Sequence, residues 1–141
     1  MERTVAAMRQ DRSGPEGYKM SKGILVVDDS DTARKVICTY LTQHNLHVCG
    51  DAVDGEDAIE KARKLKPDVV LLDLAMPRTN GIVVASVLKE MMPNTRIILF
   101  TMYSEAVRRT FSLAGIAVDA VIAKADGMPE LIACVQSLLP S

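Results

Sequence analysis

Three aspartates, a threonine and a lysine stand where apolar runs of this chain stop, and side chains of these types could together carry out phosphoryl chemistry. Val69, Val70, Leu71 and Leu72 end in Asp73, and Ile24, Leu25, Val26 and Val27 end in Asp28 and Asp29. Ile97, Ile98, Leu99 and Phe100 end in Thr101, while Val121, Ile122 and Ala123 end in Lys124. If these runs are parallel strands, their polar ends meet at one edge of a sheet. Carboxylates so close together repel, so a proton or a cation must sit among them. At neutral pH a divalent cation is the simpler answer. Oxygen ligands with room for water suit Mg²⁺, which keeps several waters and takes one or two carboxylates together with phosphate oxygens. Asp28 and Asp29 are its natural anchors. Asp73 is then the nucleophile, because an aspartate can form an acyl phosphate once nearby positive groups neutralise the charge growing on the phosphoryl oxygens. Lys124 and Thr101 supply a cation and a hydroxyl for that purpose.

The elements that must position these residues can be read from hydrophobic spacing. From Gly23 onward, short apolar runs alternate with helical patterns, as in a parallel sheet covered on both faces. Ala33, Val36, Ile37, Tyr40 and Leu41 form a helical stripe with Ser30 or Asp31 as N-cap. Val84, Val87, Leu88, Met91 and Met92 repeat it, as do Leu131, Cys134, Val135, Leu138 and Leu139 behind Pro129. A shorter, more charged helix is expected at 55–66 and another at 104–114, with Gly115 as its C-cap. Strands are expected at 23–27, 46–52, 68–72, 95–100 and 118–123, and the second alternates as an edge strand would. The fold class is therefore α/β, a doubly wound five-stranded parallel sheet in (βα)5 order. Right-handed crossovers leave few windings, and strand order 2-1-3-4-5 brings the ends of strands 1 and 3 together at the switch point where ligands bind.

A chain of 141 residues with 48% hydrophobic composition can build one domain with a real core, but not two comfortable ones. Its net charge of −1, with both signs interspersed, offers no basic field for nucleic acid. Cys38, Cys49 and Cys134 are odd in number, far apart and set in apolar runs, so they read as buried reduced thiols and not as a disulfide framework or a zinc site. His44 and His47 read as surface histidines, and Arg108 and Arg109 as a solvated helix face. No stretch approaches the roughly 18 apolar residues of a membrane span, and no secretory core is visible, so a cytoplasmic protein is expected. Residues 1–21 are polar without sustained period and are expected to form a flexible tail before a domain at 22–141.

In this order and spacing the motifs are specific: Ile24-Leu25-Val26-Val27-Asp28-Asp29-Ser30, then Asp73-Leu74-Ala75-Met76-Pro77 followed by Gly81, then Thr101 and Lys124. Over about residues 22–139 the chain resembles the receiver domain of two-component response regulators, of the chemotaxis type with a flavodoxin-like fold. The resemblance implies that Asp73 accepts phosphate from a histidine kinase or phosphotransfer protein. It also implies that Asp29, Asp73 and the backbone carbonyl of Ala75 hold Mg²⁺, with Asp28 acting through a water. Lys124 would pair with the phosphate and Thr101 would shift to bond it. A downstream protein target or a homodimer would read the change, with no nucleic acid bound by this chain itself. Such a domain catalyses only its own phosphorylation and dephosphorylation. The chain stops at Ser141 directly after the fifth helix, which suits a free-standing regulator or the receiver piece of a longer protein.

Departures from the family pattern carry their own expectations. Receivers usually have an aromatic residue three positions before the lysine, where this chain has Val121. A β-branched aliphatic cannot make the same inward swing, so output is expected to pass through the Thr101 loop and the fourth helix. The segment 115–121 is longer than is common, and Ala125 follows Lys124 where the family often has proline. A cis Lys124–Ala125 bond is expected nonetheless, at a cost of about 2.5–4 kcal/mol. Ala75, which cannot orient an attacking water, and Tyr103, which can shield one, are expected to prolong the life of an acyl phosphate. The alternative is a degenerate receiver serving as a phosphorylation-independent interaction module, which the retention of all five site residues opposes and Val121 leaves open. A phosphatase acting on external substrates would need a cap, and nothing in the chain resembles one.

Overall fold

A computed structural model of the chain describes residues 23–73, 81–116 and 118–140; the tail expected at 1–21 and the Ala75 carbonyl fall outside them. The strands are β1 (Gly23–Val27), β2 (His47–Ala52), β3 (Val69–Leu72), β4 (Arg96–Thr101) and β5 (Ala120–Ala123). The helices are α1 (Asp31–Gln43), α2 (Gly55–Leu65), α3 (Gly81–Met91), α4 (Ser104–Ala114) and α5 (Gly127–Leu138), with a 3-10 turn at Lys124–Asp126. All strand pairs are parallel and the order is β2-β1-β3-β4-β5, as the alternating pattern and crossover rule require.

The runs of β1, β3 and β4 are apolar throughout because both faces of the sheet are covered. Leu25, Val27, Val70, Leu72, Ile97 and Leu99 face one side and pack with Ala58, Ala62, Val84, Leu88 and Phe111 from α2, α3 and α4. Their neighbours Ile24, Val26, Val69, Leu71, Ile98 and Phe100 face the other and pack with Ile37 and Leu41 of α1 and Leu131 and Val135 of α5. The two-residue side-chain period thus divides each strand between two cores. Edge strand β2 is largely half-exposed, which matches its alternating sequence.

Local signals set the ends of the helices. Ser30, not Asp31, caps α1, its Oγ accepting from the Ala33 amide at 3.2 Å. Asp54 caps α2 through the Asp57 amide at 2.8 Å, while the Asp57 carboxylate accepts from the Val53 amide at 3.0 Å, so each acid satisfies an amide at the helix start. Gly115 ends α4 at φ 71°, a left-handed conformation suited to glycine. Cys38, Cys49 and Cys134 form no disulfide and are half-buried, not buried as the sequence suggests, because each lies at the margin of the packed layers and not inside them.

Strand β5 begins two residues later than the sequence suggests: the Asp119 amide still donates to Ile97 O at 2.9 Å, but the Ile97 amide is taken by the Asp119 side chain and not by a strand carbonyl. Asp119 Oδ2 accepts from the Ile97 amide at 2.7 Å and from Lys89 Nζ at 3.1 Å, and its Oδ1 meets Arg96 Nη1 at 3.2 Å. Burial pushes this carboxyl up, but the Ile97 amide, Lys89 and Arg96 outweigh it and hold the group below its ordinary 3.8. A depressed native value stabilises the fold above the unfolded value and loses that contribution as pH falls through the native one. Asp119→Asn is therefore expected to lower stability by about 2 kcal/mol at pH 7. In urea titrations the gap from wild type should narrow as the buffer is taken below about pH 4; a gap independent of pH contradicts the assignment.

Candidate functional site

The sheet carries its ladder one residue past β1 and β3. The Asp28 amide donates to Ala52 O and the Asp73 amide to Val27 O, each at 3.1 Å. These bonds fix the two aspartates at the same level on adjacent strands, where the chain order reverses. Asp28 is 1% exposed and Asp73 6%, whereas Asp29 lies at the surface, so the cluster has buried walls and an open side. Carboxylate oxygens of Asp28, Asp29 and Asp73 all lie within 4.8 Å of one another.

β5 delivers the cation. Lys124 Nζ stands 3.4 Å from Asp73 Oδ2 and 3.9 Å from Asp28 Oδ2, with the Phe100 ring centroid 5.7 Å away. Register aligns Leu72 with Leu99 and Thr101 with Ala123, which sets Thr101 just beyond Asp73 between the ends of β3 and β5. Thr101 is buried, and its Oγ1 accepts from the Tyr103 amide at 3.2 Å. Asp28, Asp29, Asp73, Thr101 and Lys124 are thus gathered at one edge, as their positions in the sequence suggested.

The Lys124–Ala125 peptide is trans, contrary to expectation, as are all described peptide bonds. Alanine lacks the tertiary amide that makes cis accessible, and the 3-10 turn that Lys124 opens, closed by the Gly127 amide on Lys124 O, leads into α5 while the ammonium reaches Asp73. Tyr103 is 68% exposed at the start of α4. Val121 is half-buried against the core of the α2, α3 and α4 face. Arg108 is not simply solvated: its Nη2 donates to Val121 O at 2.8 Å and ties α4 to β5. His44 and His47 are at the surface.

Sequence reasoning missed Arg34, which donates to Asp31, to Asp51 and to the backbone of Asp28. Only the Asp31 pairing carried a local signal, at helix spacing i, i+3. Asp51 belongs to another strand, and its approach follows from topology.

The electrostatics of Asp28 test whether the cluster suits a cation. Its Oδ1 accepts from the Ser30 amide at 2.9 Å, but its buried Oδ2 has no hydrogen-bond partner among the described residues. Burial raises its pKa above the ordinary 3.8; the Ser30 amide opposes this, Asp73 adds to it, Lys124 opposes it and Asp29 adds to it. An unsatisfied buried carboxylate oxygen beside two further carboxylates, open to water on the Asp29 side, fits a hydrated hard cation such as Mg²⁺.

Residues 24–136 match the response regulator receiver domain family. The chain is 34% identical over 117 residues to a protein-glutamate methylesterase/protein-glutamine glutaminase of Archaeoglobus fulgidus, covering 82% of the chain and 34% of that protein. It is 41% identical over 83 residues to the response regulator protein VraR of Staphylococcus saprophyticus, covering 58% of the chain and 40% of that protein. The chain thus spans between about a third and two fifths of the length of these curated relatives. Among solved structures, the response regulator protein TrrA of Thermotoga maritima, in complex with Mg²⁺ and BeF, superposes with a TM-score of 0.74 at 32% identity, covering 84% of this chain and 99% of that one.

Because the native pKa of Asp28 is raised, its ionised form costs stability at neutral pH, and that cost is relieved as pH falls through the native value. Asp28→Asn is accordingly expected to raise the unfolding midpoint of EDTA-treated protein by about 2–5 °C. The same substitution should remove most of the stabilisation that millimolar Mg²⁺ gives wild type. An unchanged or lowered midpoint in EDTA would contradict this electrostatic account.

Proposed function

The chain belongs to the response regulator receiver domain family, and from that premise we propose that it is a phosphorylation-controlled switch whose phosphoacceptor is Asp73. The observation that carries this reading is the juxtaposition of a nearly buried Asp73 with Lys124 at 3.4 Å, beside an oxygen of Asp28 with no hydrogen-bond partner among the described residues. A carboxylate oxygen of Asp73 attacks the phosphorus of a phosphohistidine on a histidine kinase or phosphotransfer protein. The new O–P bond forms as the P–N bond to the donor imidazole breaks, and the imidazole takes up a proton. Asp29, Asp73 and the Ala75 carbonyl would hold Mg²⁺, with Asp28 acting through a water. When bound, the ion neutralises charge on the phosphoryl oxygens. Lys124 pairs with one of those oxygens, a role suited to a mobile ammonium at the end of β5.

Thr101 links chemistry to shape. Its hydroxyl now accepts from the Tyr103 amide, and turning to donate to a phosphoryl oxygen re-forms the Met102–Tyr103 turn at the head of α4. The phosphoryl group brings about two negative charges and three acceptor oxygens, enough to bias such a two-state arrangement. Val121 cannot reproduce an aromatic swing, so the change travels through α4, which Arg108 couples to the Val121 carbonyl. A downstream protein or a second copy reads that surface. The working domain is 22–141, with 1–21 outside it, and its catalysis is confined to its own phosphorylation and dephosphorylation. No described helix is long and apolar enough to cross a membrane, which accords with action in the cytoplasm beside a kinase. Val121 leaves open the alternative of a phosphorylation-independent interaction module.

Incubation with Mg²⁺ and acetyl phosphate or phosphoramidate should add a phosphoryl-sized mass to wild type and none to Asp73→Asn. Absence of the gain with both donors and with a phosphorylated histidine protein would leave the interaction module as the better reading. Ala75→Asn with Tyr103→Glu should shorten the lifetime of the adduct severalfold; an unchanged decay rate would refute the assigned roles of these side chains.

A further inference from the structure

Arg34 sits in the first turns of α1, behind the acidic loop, with its side chain only 12% exposed. Each guanidinium nitrogen has a separate acceptor: Nε donates to Asp51 Oδ2 at 2.7 Å, Nη1 to Asp28 O at 2.8 Å and Nη2 to Asp31 Oδ1 at 2.6 Å. The fork therefore joins the end of β2, the end of β1 and the start of α1. Its middle bond matters most, because it grips the peptide between Asp28 and Asp29. That peptide's direction sets where both carboxylates lie.

The grip is rigid on every side. The Asp28 amide is held by Ala52 O, and Asp28 Oδ1 by the Ser30 amide. Asp51 is fixed in register opposite Val26, and its carbonyl accepts from Lys61 Nζ. A planar guanidinium with three directed bonds holds its acceptors in a defined geometry that a single ammonium cannot reproduce. Its guanidinium nitrogens are engaged by Asp51, Asp28 O and Asp31, so Arg34 is given no part in the phosphoryl step.

We propose that Arg34 is a positioning residue for the divalent-cation site, holding the Asp28–Asp29 peptide so that both carboxylates converge with Asp73. The proposal rests on the receiver reading above and extends it to a residue that touches neither cation nor phosphate. Charge and position make opposite demands here, which gives the test its sign. Arg34 is a cation close to a cation site, so by electrostatics alone its removal would tighten Mg²⁺ binding. By positioning, its removal weakens binding, and outer residues that orient metal ligands typically contribute about 10–100-fold in affinity.

The experiment is calorimetric titration of Mg²⁺ into wild type, Arg34→Met, Arg34→Lys and Asp31→Asn, with amide hydrogen exchange of the same proteins in EDTA. Arg34→Met and Arg34→Lys are expected to bind Mg²⁺ about tenfold more weakly and to exchange the Asp29 and Ser30 amides faster without metal. Asp31→Asn, which removes only the outermost arm at an 86% exposed carboxylate, should stay within about twofold of wild type. Arg34→Lys keeps the charge and preserves the test if Arg34→Met does not fold. Unchanged or tighter Mg²⁺ binding in a folded Arg34 variant overturns the proposal. A wild type that takes up no Mg²⁺ at millimolar concentration overturns the reading of the site itself, an outcome distinct from variants that match a wild type that binds.

Discussion

Crowding of three carboxylates at the ends of β1 and β3 is the constraint around which this molecule is arranged. Like charges so close, two of them nearly out of water, are unfavourable unless something opposes them. Among the described residues Lys124 stands beside Asp73 and the Ser30 amide bonds one oxygen of Asp28, while the second Asp28 oxygen has no hydrogen-bond partner there. A fold that tolerates this must be stiff where the acids are attached. The strands carrying Asp28 and Asp73 are buried on both faces, and their ladder runs one residue beyond the last strand residue, so the acids cannot drift apart to relieve the repulsion.

Stiffness is not evenly spread. Helices α2 and α3 bury Ala58 and Ala62, and Val84, Ala85 and Leu88 respectively. In α4, among the described side chains, Phe111 is buried and Val107 partly so, the first turn lacks a side-chain cap, and Met102 and Tyr103 before it are largely exposed. Local opening free energy follows buried apolar contact, so on its described side chains this helix has less to lose by moving than α3. It is also the helix whose entry turn bonds the Thr101 hydroxyl and whose Arg108 grips the β5 backbone. A rigid acidic edge beside a lightly held helix is an arrangement in which a local change of charge can become a change of surface.

The parts legible in the sequence were those governed by short-range rules. Apolar runs of strand length fixed β1, β3 and β4, the 3.6-residue spacing located the helices, and crossover handedness then placed Asp28, Asp73, Thr101 and Lys124 on one edge. What escaped depended on meetings between distant segments. Arg34 finds Asp51 17 positions away, and Asp119 finds Lys89 30 positions away, so neither pairing leaves a local pattern. The Asp119 side chain also takes the Ile97 amide while its own amide bonds Ile97 O, and β5 starts at Ala120 although Val118 continues its apolar pattern. The expected cis bond failed for a related reason: the residue pattern indicated where the lysine must reach, but not that a trans peptide entering a 3-10 turn would bring it there.

Comparison of Asp28 with Asp119 shows how one fold separates structural from chemical uses of the same side chain. Both are aspartates near strand ends, and burial raises the pKa of each. At the amino end of the strands, Asp119 receives a backbone amide, an ammonium and a guanidinium, which together more than offset burial and leave it firmly ionised. At the carboxyl end, Asp28 receives one amide, two carboxylate neighbours and a lysine too distant to hydrogen-bond its second oxygen. The acid satisfied by its own chain ties elements together; the acid left one donor short is available to something from outside. Opposite pKa shifts in chemically identical groups therefore mark which end of the sheet is built for stability and which for a ligand. Arg34 fits this division, because its guanidinium is engaged by Asp31, Asp51 and a backbone carbonyl while one Asp28 carboxylate oxygen has no hydrogen-bond partner among the described residues.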